Sequence, residues 1–281
     1  MDYTNVGEIS ALLNENGLSM TKKFGQNFLI SENALQKITD ISGVTEGTKV
    51  WEIGPGLGAL TSHMLAKGAQ VTAFEIDHGF CRLLREVIFK DNENFTLVEG
   101  DALKTWKDVF KQTGCPDLIC ANLPYNVGSV LIASFIENRM LPPKMVFTLQ
   151  SEVVQRICAN VGDDQYSGFS LLMNVDYQNR EALKIKRSCF WPSPNVDSSV
   201  VEMTRRAQSR IPEQWAPKFF TTTRALFSQR RKTVRNNLKA LASAERIDNA
   251  LAKSNISETE RAEKLSIEEI LVLTQNLFDN P

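Results

Sequence analysis

Histidine is nearly absent from this chain: only His63 and His78 occur in 281 residues. No two cysteines stand at Cys-x-x-Cys spacing either. Together these absences exclude a zinc site and a histidine base, and no metal is expected. The five cysteines, Cys81, Cys115, Cys120, Cys158 and Cys189, are odd in number and scattered. That excludes a disulfide framework and predicts a reducing, cytoplasmic setting. No apolar run approaches the roughly 18 residues of a membrane span. The first twenty residues carry Asp2, Glu8 and Glu15 and no basic residue, so a secretory signal is also missing. Internal repeats and low-complexity tracts are lacking. Net charge is scarce as well, at −1.

The charge is unevenly spread, however. Residues 180–243 hold 14 Lys and Arg against four Asp and Glu, which leaves the remainder acidic. Between 217 and 243 there are seven basic residues and no acid. Such a stretch is the electrostatic footprint expected for a polyanion. On charge alone, a solvated helix face fits as well.

From Lys49 the pattern alternates between strand and helix, which predicts an α/β fold with a mostly parallel sheet covered on both faces. Strands are predicted at Lys49–Ile53, 70–76, 95–98, 117–121 and 144–149. Helices are predicted at 59–67, 79–90, 129–138 and 151–160, with a short amphipathic helix at 8–18 and another capped by Ser31. Beyond Tyr166, segments 171–177, 183–189 and 198–204 read as strands. After about Arg206 the pattern is helical to the end. The predicted organisation is therefore a domain over 1–206 and a small all-helical domain over 207–281. In the latter, Arg224, Arg231 and Arg235 stand at helical spacing, opposite Phe219, Phe220, Leu226 and Phe227.

The first strand runs into Glu52-Ile53-Gly54-Pro55-Gly56-Leu57-Gly58. Glycines there allow a sharp turn and a close approach to a ligand, but the pattern alone serves nicotinamide, flavin and S-adenosylmethionine sites alike. Glu75 follows Gly54 by 21 residues, at the end of the next strand, where an acid can accept from both ribose hydroxyls. Asp101 ends the third strand and can accept from an adenine amine. Taken singly, each acid is better read as a helix cap or a solvated strand end; it is their occurrence at the ends of successive strands that points to a ligand. The fourth strand ends in Asn122-Leu123-Pro124-Tyr125. An adenine amine is a poor nucleophile because its lone pair is delocalised into the ring. Acceptors around it, such as the Asn122 side-chain oxygen and the Leu123 carbonyl, favour a more tetrahedral nitrogen. Pro124 removes a competing donor, and Tyr125 offers a stacking face.

Asn122-Leu123-Pro124-Tyr125 resembles the (Asn/Asp)-Pro-Pro-(Tyr/Phe) motif of amino methyltransferases, in the form typical of the rRNA adenine dimethyltransferases. Phe24-Gly25-Gln26-Asn27-Phe28-Leu29 is similar to that family's N-terminal motif. Phe190-Trp191-Pro192-Ser193-Pro194-Asn195-Val196-Asp197-Ser198 resembles its Phe-x-Pro-x-Pro-x-Val-Asp-Ser block. Phe227-Ser228-Gln229-Arg230-Arg231-Lys232 resembles its C-terminal basic element. The one local departure is Tyr166-Ser167-Gly168, where the family has Tyr-Gly directly.

The resemblance implies a Rossmann-like class I methyltransferase fold and S-adenosylmethionine as cofactor. It implies cofactor contacts from Asn27, Leu29, Gly54, Glu75, Asp101 and Asn122. It places Asn122 at the target amine, with Tyr125 and Phe190 holding the adenine from its two faces. Arg230, Arg231, Lys232 and Arg235 are the expected RNA contacts. The implied substrate is two adjacent adenosines in the 3′-terminal hairpin loop of small-subunit rRNA, each dimethylated on an immature 30S subunit. A monomer with no membrane partner is expected. Three rivals stand beside this reading. They are a large-subunit rRNA dimethyltransferase of the macrolide-resistance type, an assembly factor acting by binding, and a nicotinamide-dependent dehydrogenase resting on the glycine loop alone.

Overall fold

The computed structural model describes residues 1–18, 27–124 and 127–279. Tyr125 and the Phe24-Gly25-Gln26 part of the N-terminal motif therefore lie outside the described residues. Contacts divide the chain into two units. The first comprises Met1–Phe135, Met140–Val154 and Asn179–Arg205. The second comprises 136–139, 155–178 and the chain from Arg206 onward, so it takes in two stretches that precede the helical region read from sequence.

The first unit begins with helix α1 (Val6–Glu15), the short strand β1 (Phe28–Leu29) and helix α2 (Glu32–Ser42), which Ser31 caps by accepting from the Ala34 amide. The strand–helix alternation follows as β2 (Lys49–Ile53), α3 (Ala59–Ala66), β3 (Gln70–Glu75), α4 (His78–Leu83), β4 (Phe95–Glu99), α5 (Ala102–Thr113), β5 (Leu118–Asn122), α6 (Gly128–Glu137), β6 (Lys144–Gln150) and α7 (Ser151–Cys158). After helix α8 (Gly168–Asp176) come β7 (Tyr177–Ile185), β8 (Phe190–Trp191) and β9 (Ser198–Arg205). Seven strands form one sheet in the order β4-β3-β2-β5-β6-β9-β7, and β1 pairs separately with β8. The first five strands of that order run parallel, and β9 is antiparallel to β6. Four of the five β2 residues and all five central β6 residues are buried, as expected of parallel strands covered on both faces.

Register matters most at the carboxyl ends. Ile53 lies beside Phe74, Glu75 beside Glu99, and Asn122 beside Thr148. The ends of β2, β3, β4 and β5 therefore share one edge, where open parallel sheets bind ligands. Below that edge, Val50, Val71, Ala73, Cys120 and Val146 pack with Leu35, Ile38 and Met64 into a dry core.

The second unit gathers α8 with α9 (Ala216–Leu226), α10 (Val234–Leu238), α11 (Ala244–Lys253) and α12 (Ile267–Phe278). Two expectations fail here. The sequence pattern predicts a strand over 171–177, but 168–176 are helical: Ser167 and Ser170 form a capping box. Every residue from Ser170 to Asp176 is buried, so the run has no periodicity by which to tell helix from strand. The serine that departs from the family pattern is thus the cap of α8. The second failure is that Arg224, Arg231 and Arg235 do not share one helix. Helix α9 stops at Leu226, and α10 starts only after Thr233. The buried Asn237 amide donates to the carbonyls of Leu226 (2.6 Å) and Gln229 (3.2 Å), which satisfies the broken helix end.

Candidate active site

Between β2 and α3 the chain turns through Gly54, Gly56 and Gly58, at φ of 68°, 57° and 82°. These left-handed conformations favour glycine. At Gly56 space is also short, since a Cβ would stand 3.0 Å from the Phe28 ring. The Gly56 amide donates to Glu75 Oε2 at 3.2 Å. The other carboxylate oxygen of Glu75 accepts from the amides of Ile76 and Asp77, both at 2.9 Å. Glu75 is 5% exposed, and burial pushes its pKa up to about 7 against the pull of those amide donors.

A second buried carboxylate stands beside it. Glu52, 2% exposed, accepts a 2.5 Å hydrogen bond from the Thr61 hydroxyl. Burial raises its pKa to about 8, and the negative charge of Glu75 adds to the effect. Glu52 is not among the residues expected from sequence. Its signal is an acid in an otherwise apolar strand, directly ahead of the glycine loop. Asp101 does cap a helix, accepting from the Leu103 amide at 3.0 Å as the N-cap of α5, and it also reaches the site. That helix, Ala102–Thr113, is itself absent from the elements predicted from sequence.

Asn122 ends β5. Its Nδ2 donates to the carbonyl of Asn27 at 3.2 Å, across 95 residues of sequence. With the NH2 group engaged, the carbonyl oxygen is the end of this amide that can accept from an incoming amine. The next residue, Leu123, donates its amide to the Thr148 carbonyl, and the Pro124 carbonyl accepts from the amides of Val127 and Gly128 at the start of α6.

These residues enclose a cavity of about 330 Å³. Asn27, Leu29, Gly54, Glu75, Asp101 and Asn122 all line it, so the six expected cofactor residues converge on one space. Tyr3, Ile9, Glu52 and Phe80 line it as well and are not anticipated by the sequence motifs. Tyr3 bonds through its hydroxyl to Ser62 at 3.0 Å, and Ile9 of α1 packs with Leu57, Phe80 and Leu83. Among the described lining residues there are three carboxylates and no Lys or Arg.

Phe190 is placed differently. It is 3% exposed, stands opposite Leu29 in the β1–β8 pair, and packs in the core with Leu35 and Ile38 rather than along the cavity. Its neighbour Trp191 stacks on Phe28, with ring centroids 6.3 Å apart. The N-terminal motif and the Phe190 block, about 160 residues apart in the chain, are thus joined as two adjacent strands. The basic residues belong to the second unit. Arg230 pairs with Glu263 at 3.2 Å, and Arg235 with Asp248 at 2.6 Å and Glu258 at 3.4 Å. Arg231 and Lys232 are exposed and make no ion pair among the described residues. No cluster of metal-ligating side chains occurs among the described residues.

Residues 17–279 match the family model described as ribosomal RNA adenine dimethylase. The chain is 40% identical over 279 residues to ribosomal RNA small subunit methyltransferase A of Treponema denticola, covering 97% of this chain and 94% of that one. It is 36% identical to the protein of the same name from Bacillus licheniformis, covering 95% and 94%. Among solved structures, a dimethyladenosine transferase from Plasmodium falciparum superposes with a TM-score of 0.69 at 25% identity, over 86% of this chain and 94% of that one. The 23S rRNA methyltransferase ErmE shares the fold, with a TM-score of 0.64 at 20% identity over 89% and 99%. The sheet order, the convergent cavity and a match running almost end to end place this chain in the ribosomal RNA adenine dimethylase family.

Proposed function

We propose that the chain transfers methyl groups from S-adenosylmethionine to the N6 amines of two adjacent adenosines in the 3′-terminal hairpin loop of small-subunit rRNA, acting as a monomer on the immature subunit in the cytoplasm. The observation that carries this reading is a cavity whose described lining holds three carboxylates and no Lys or Arg together with Asn122. A dinucleotide brings a pyrophosphate, for which the described lining offers no Lys or Arg. S-adenosylmethionine brings a sulfonium and an ammonium, which need no cation and are compatible with carboxyl oxygens. Glu75 stands where ribose hydroxyls can donate to it, Asp101 where an adenine amine can, and Leu29 and Ile76 supply apolar wall.

The cofactor supplies an electrophilic methyl on sulfur. The protein's task is then to present the nitrogen. The Asn122 oxygen and the Leu123 carbonyl accept the two amine hydrogens and turn the lone pair toward the methyl. The nitrogen forms its new bond as the carbon–sulfur bond breaks, and the surplus proton leaves to water. Catalysis of this kind is mostly positioning, so no side chain of matched pKa is required. Tyr125 and Phe190 are proposed to flank the extruded base, and Arg230, Arg231, Lys232 and Arg235 of the helical domain over 207–281 to hold the rRNA backbone. For Phe190, Phe190→Leu and Phe190→Ala distinguish stacking from packing. A stacking ring is lost equally in both, whereas a core role is largely kept by leucine.

The decisive experiment offers immature small subunits and large-subunit rRNA separately to the wild type and to Asn122→Ala, and reads dimethyladenosine by mass spectrometry. Modification confined to the small subunit is expected. The variant should be slower by about 10²–10³-fold, as when one preorganised polar group at the reacting centre is removed. Methylation of large-subunit rRNA alone overturns the substrate, and an unimpaired variant overturns the role of Asn122.

A further inference from the structure

The second unit contains a cavity of its own, about 570 Å³, that the methyl transfer does not use. Its composition contrasts with that of the first. Aromatic rings line it: Phe169, Phe220 and Phe227, with Tyr166 set edge-on to Phe227 at 6.1 Å. Three guanidiniums, Arg156, Arg224 and Arg230, share the lining with three carboxylates, Glu137, Asp164 and Glu263. Arg224 is 68% exposed and held by Glu137 only at 3.6 Å, and Arg230, 75% exposed, is held by Glu263 at 3.2 Å. Exposed pairs of this kind are weak and yield readily to a phosphate, which arginine can grip with two donors. Thr223 also lines the cavity. It is 5% exposed, and its hydroxyl has no hydrogen-bond partner among the described residues. A buried hydroxyl left unmatched costs free energy unless a ligand or water completes it.

We propose that this cavity is a binding site for one unpaired nucleotide of the rRNA, separate from the base that is methylated. The rings provide a face for the base. The carboxylates provide acceptors for an exocyclic amine, and Thr223 offers a further hydrogen bond. Arg224 and Arg230 hold the attached phosphate. Stacking plus guanidinium contacts is how unpaired nucleotides are bound when a base is splayed from its helix. The balanced charge of the lining suits a base with an amine edge and a single phosphate better than a bare anion. The proposal rests on the reading of the chain as an rRNA enzyme, but its test does not require methylation.

Full-length protein is first saturated with S-adenosylhomocysteine, so that the methyl-donor cavity is filled. AMP, GMP, CMP and UMP are then titrated separately at millimolar concentration, with binding followed by NMR line shifts. An RNA hairpin with an unpaired loop is titrated in parallel. Saturable binding of at least one amine-bearing nucleotide is expected. Phe169→Ala should weaken it by roughly 5- to 150-fold, the range for removal of one stacked ring. Thr223→Val should weaken it by roughly 2- to 10-fold without lowering the thermal midpoint, because no existing hydrogen bond is removed. Arg224→Ala should reduce hairpin affinity. No saturable mononucleotide binding, or affinities unchanged in Thr223→Val and Arg224→Ala, overturns the proposal. Failure of the methylation assay with intact nucleotide binding here would instead overturn the reading of the first cavity.

Discussion

Burial disfavours the charge of the Glu75 carboxyl and holds its pKa at about 7, well above its ordinary 4.5. A carboxyl whose pKa is raised by folding stabilises the donor-free protein fully below about 4.5, and that contribution is lost as pH rises through about 7. Thermal midpoints should therefore fall between pH 4.5 and 7 in the wild type, and fall less in Glu75→Gln. Donor binding should respond in the opposite direction. Ribose hydroxyls donate best to an ionised carboxylate, so S-adenosylmethionine affinity should rise with pH to a plateau above about 7, by at most about tenfold per pH unit below it. Calorimetry across about pH 5–8 measures this. Glu75→Gln should flatten the slope below about 7. A mutant profile as steep as the wild type would remove Glu75 from the donor site. At the same scale, Arg231 and Lys232 differ from Arg235, because two acids already engage the guanidinium of Arg235.

Tyr3 and, in helix α1, Ile9 line the carboxylate-bearing cavity, although the family match begins only at residue 17. Deleting residues 1–15 uncovers Leu57, Phe80 and Leu83. Donor affinity should then fall roughly tenfold, the worth of about 60 Å² of apolar surface at about 25 cal/mol/Å². Circular dichroism should still report the sheet. Unchanged affinity would make α1 a bystander. Much of the sheet is legible in the sequence, because β2, β3, β5 and β6 are largely apolar runs and Gly54, Asp77 and Asn122 mark the ends of β2, β3 and β5. The six residues that line the first cavity as expected are legible for the same reason, since most stand where a strand ends. Other features are not. Helix α8 is buried almost all round and carries no period. The break between α9 and α10 depends on Asn237 reaching back eleven residues. Tyr3 and Ile9 reach the cavity only through tertiary packing. The Phe190 block is recognisable in the sequence, whereas the packing of its ring with Leu35 and Ile38 is visible only in the fold.

Across the whole molecule, charge is segregated by task. A chain of net charge −1 has three carboxylates and no Lys or Arg among the described residues of its first cavity, and concentrates seven cations between residues 217 and 243. Under the proposed function, the cavity takes a cationic methyl donor and the basic stretch a polyanion. Binding to rRNA should accordingly weaken with salt. Charge reversal of Arg231 and Lys232 together should lower the slope of log K against log salt by about 0.7 for each single-strand phosphate that is no longer neutralised. Filter binding between about 50 and 200 mM salt tests this, and Arg235→Glu should have the smaller effect. An unaltered slope in the double variant would place the rRNA-binding surface elsewhere.

The pairing of Phe28–Leu29 with Phe190–Trp191 also sets a timetable for biosynthesis. The Asn27 carbonyl that anchors Asn122 belongs to a segment whose strand partner is made about 160 residues later. At about 5–20 residues per second, a nascent chain would wait roughly 8 to 32 s before that partner is made. A ribosome translating this protein thus completes the support of Asn122 only late in its synthesis.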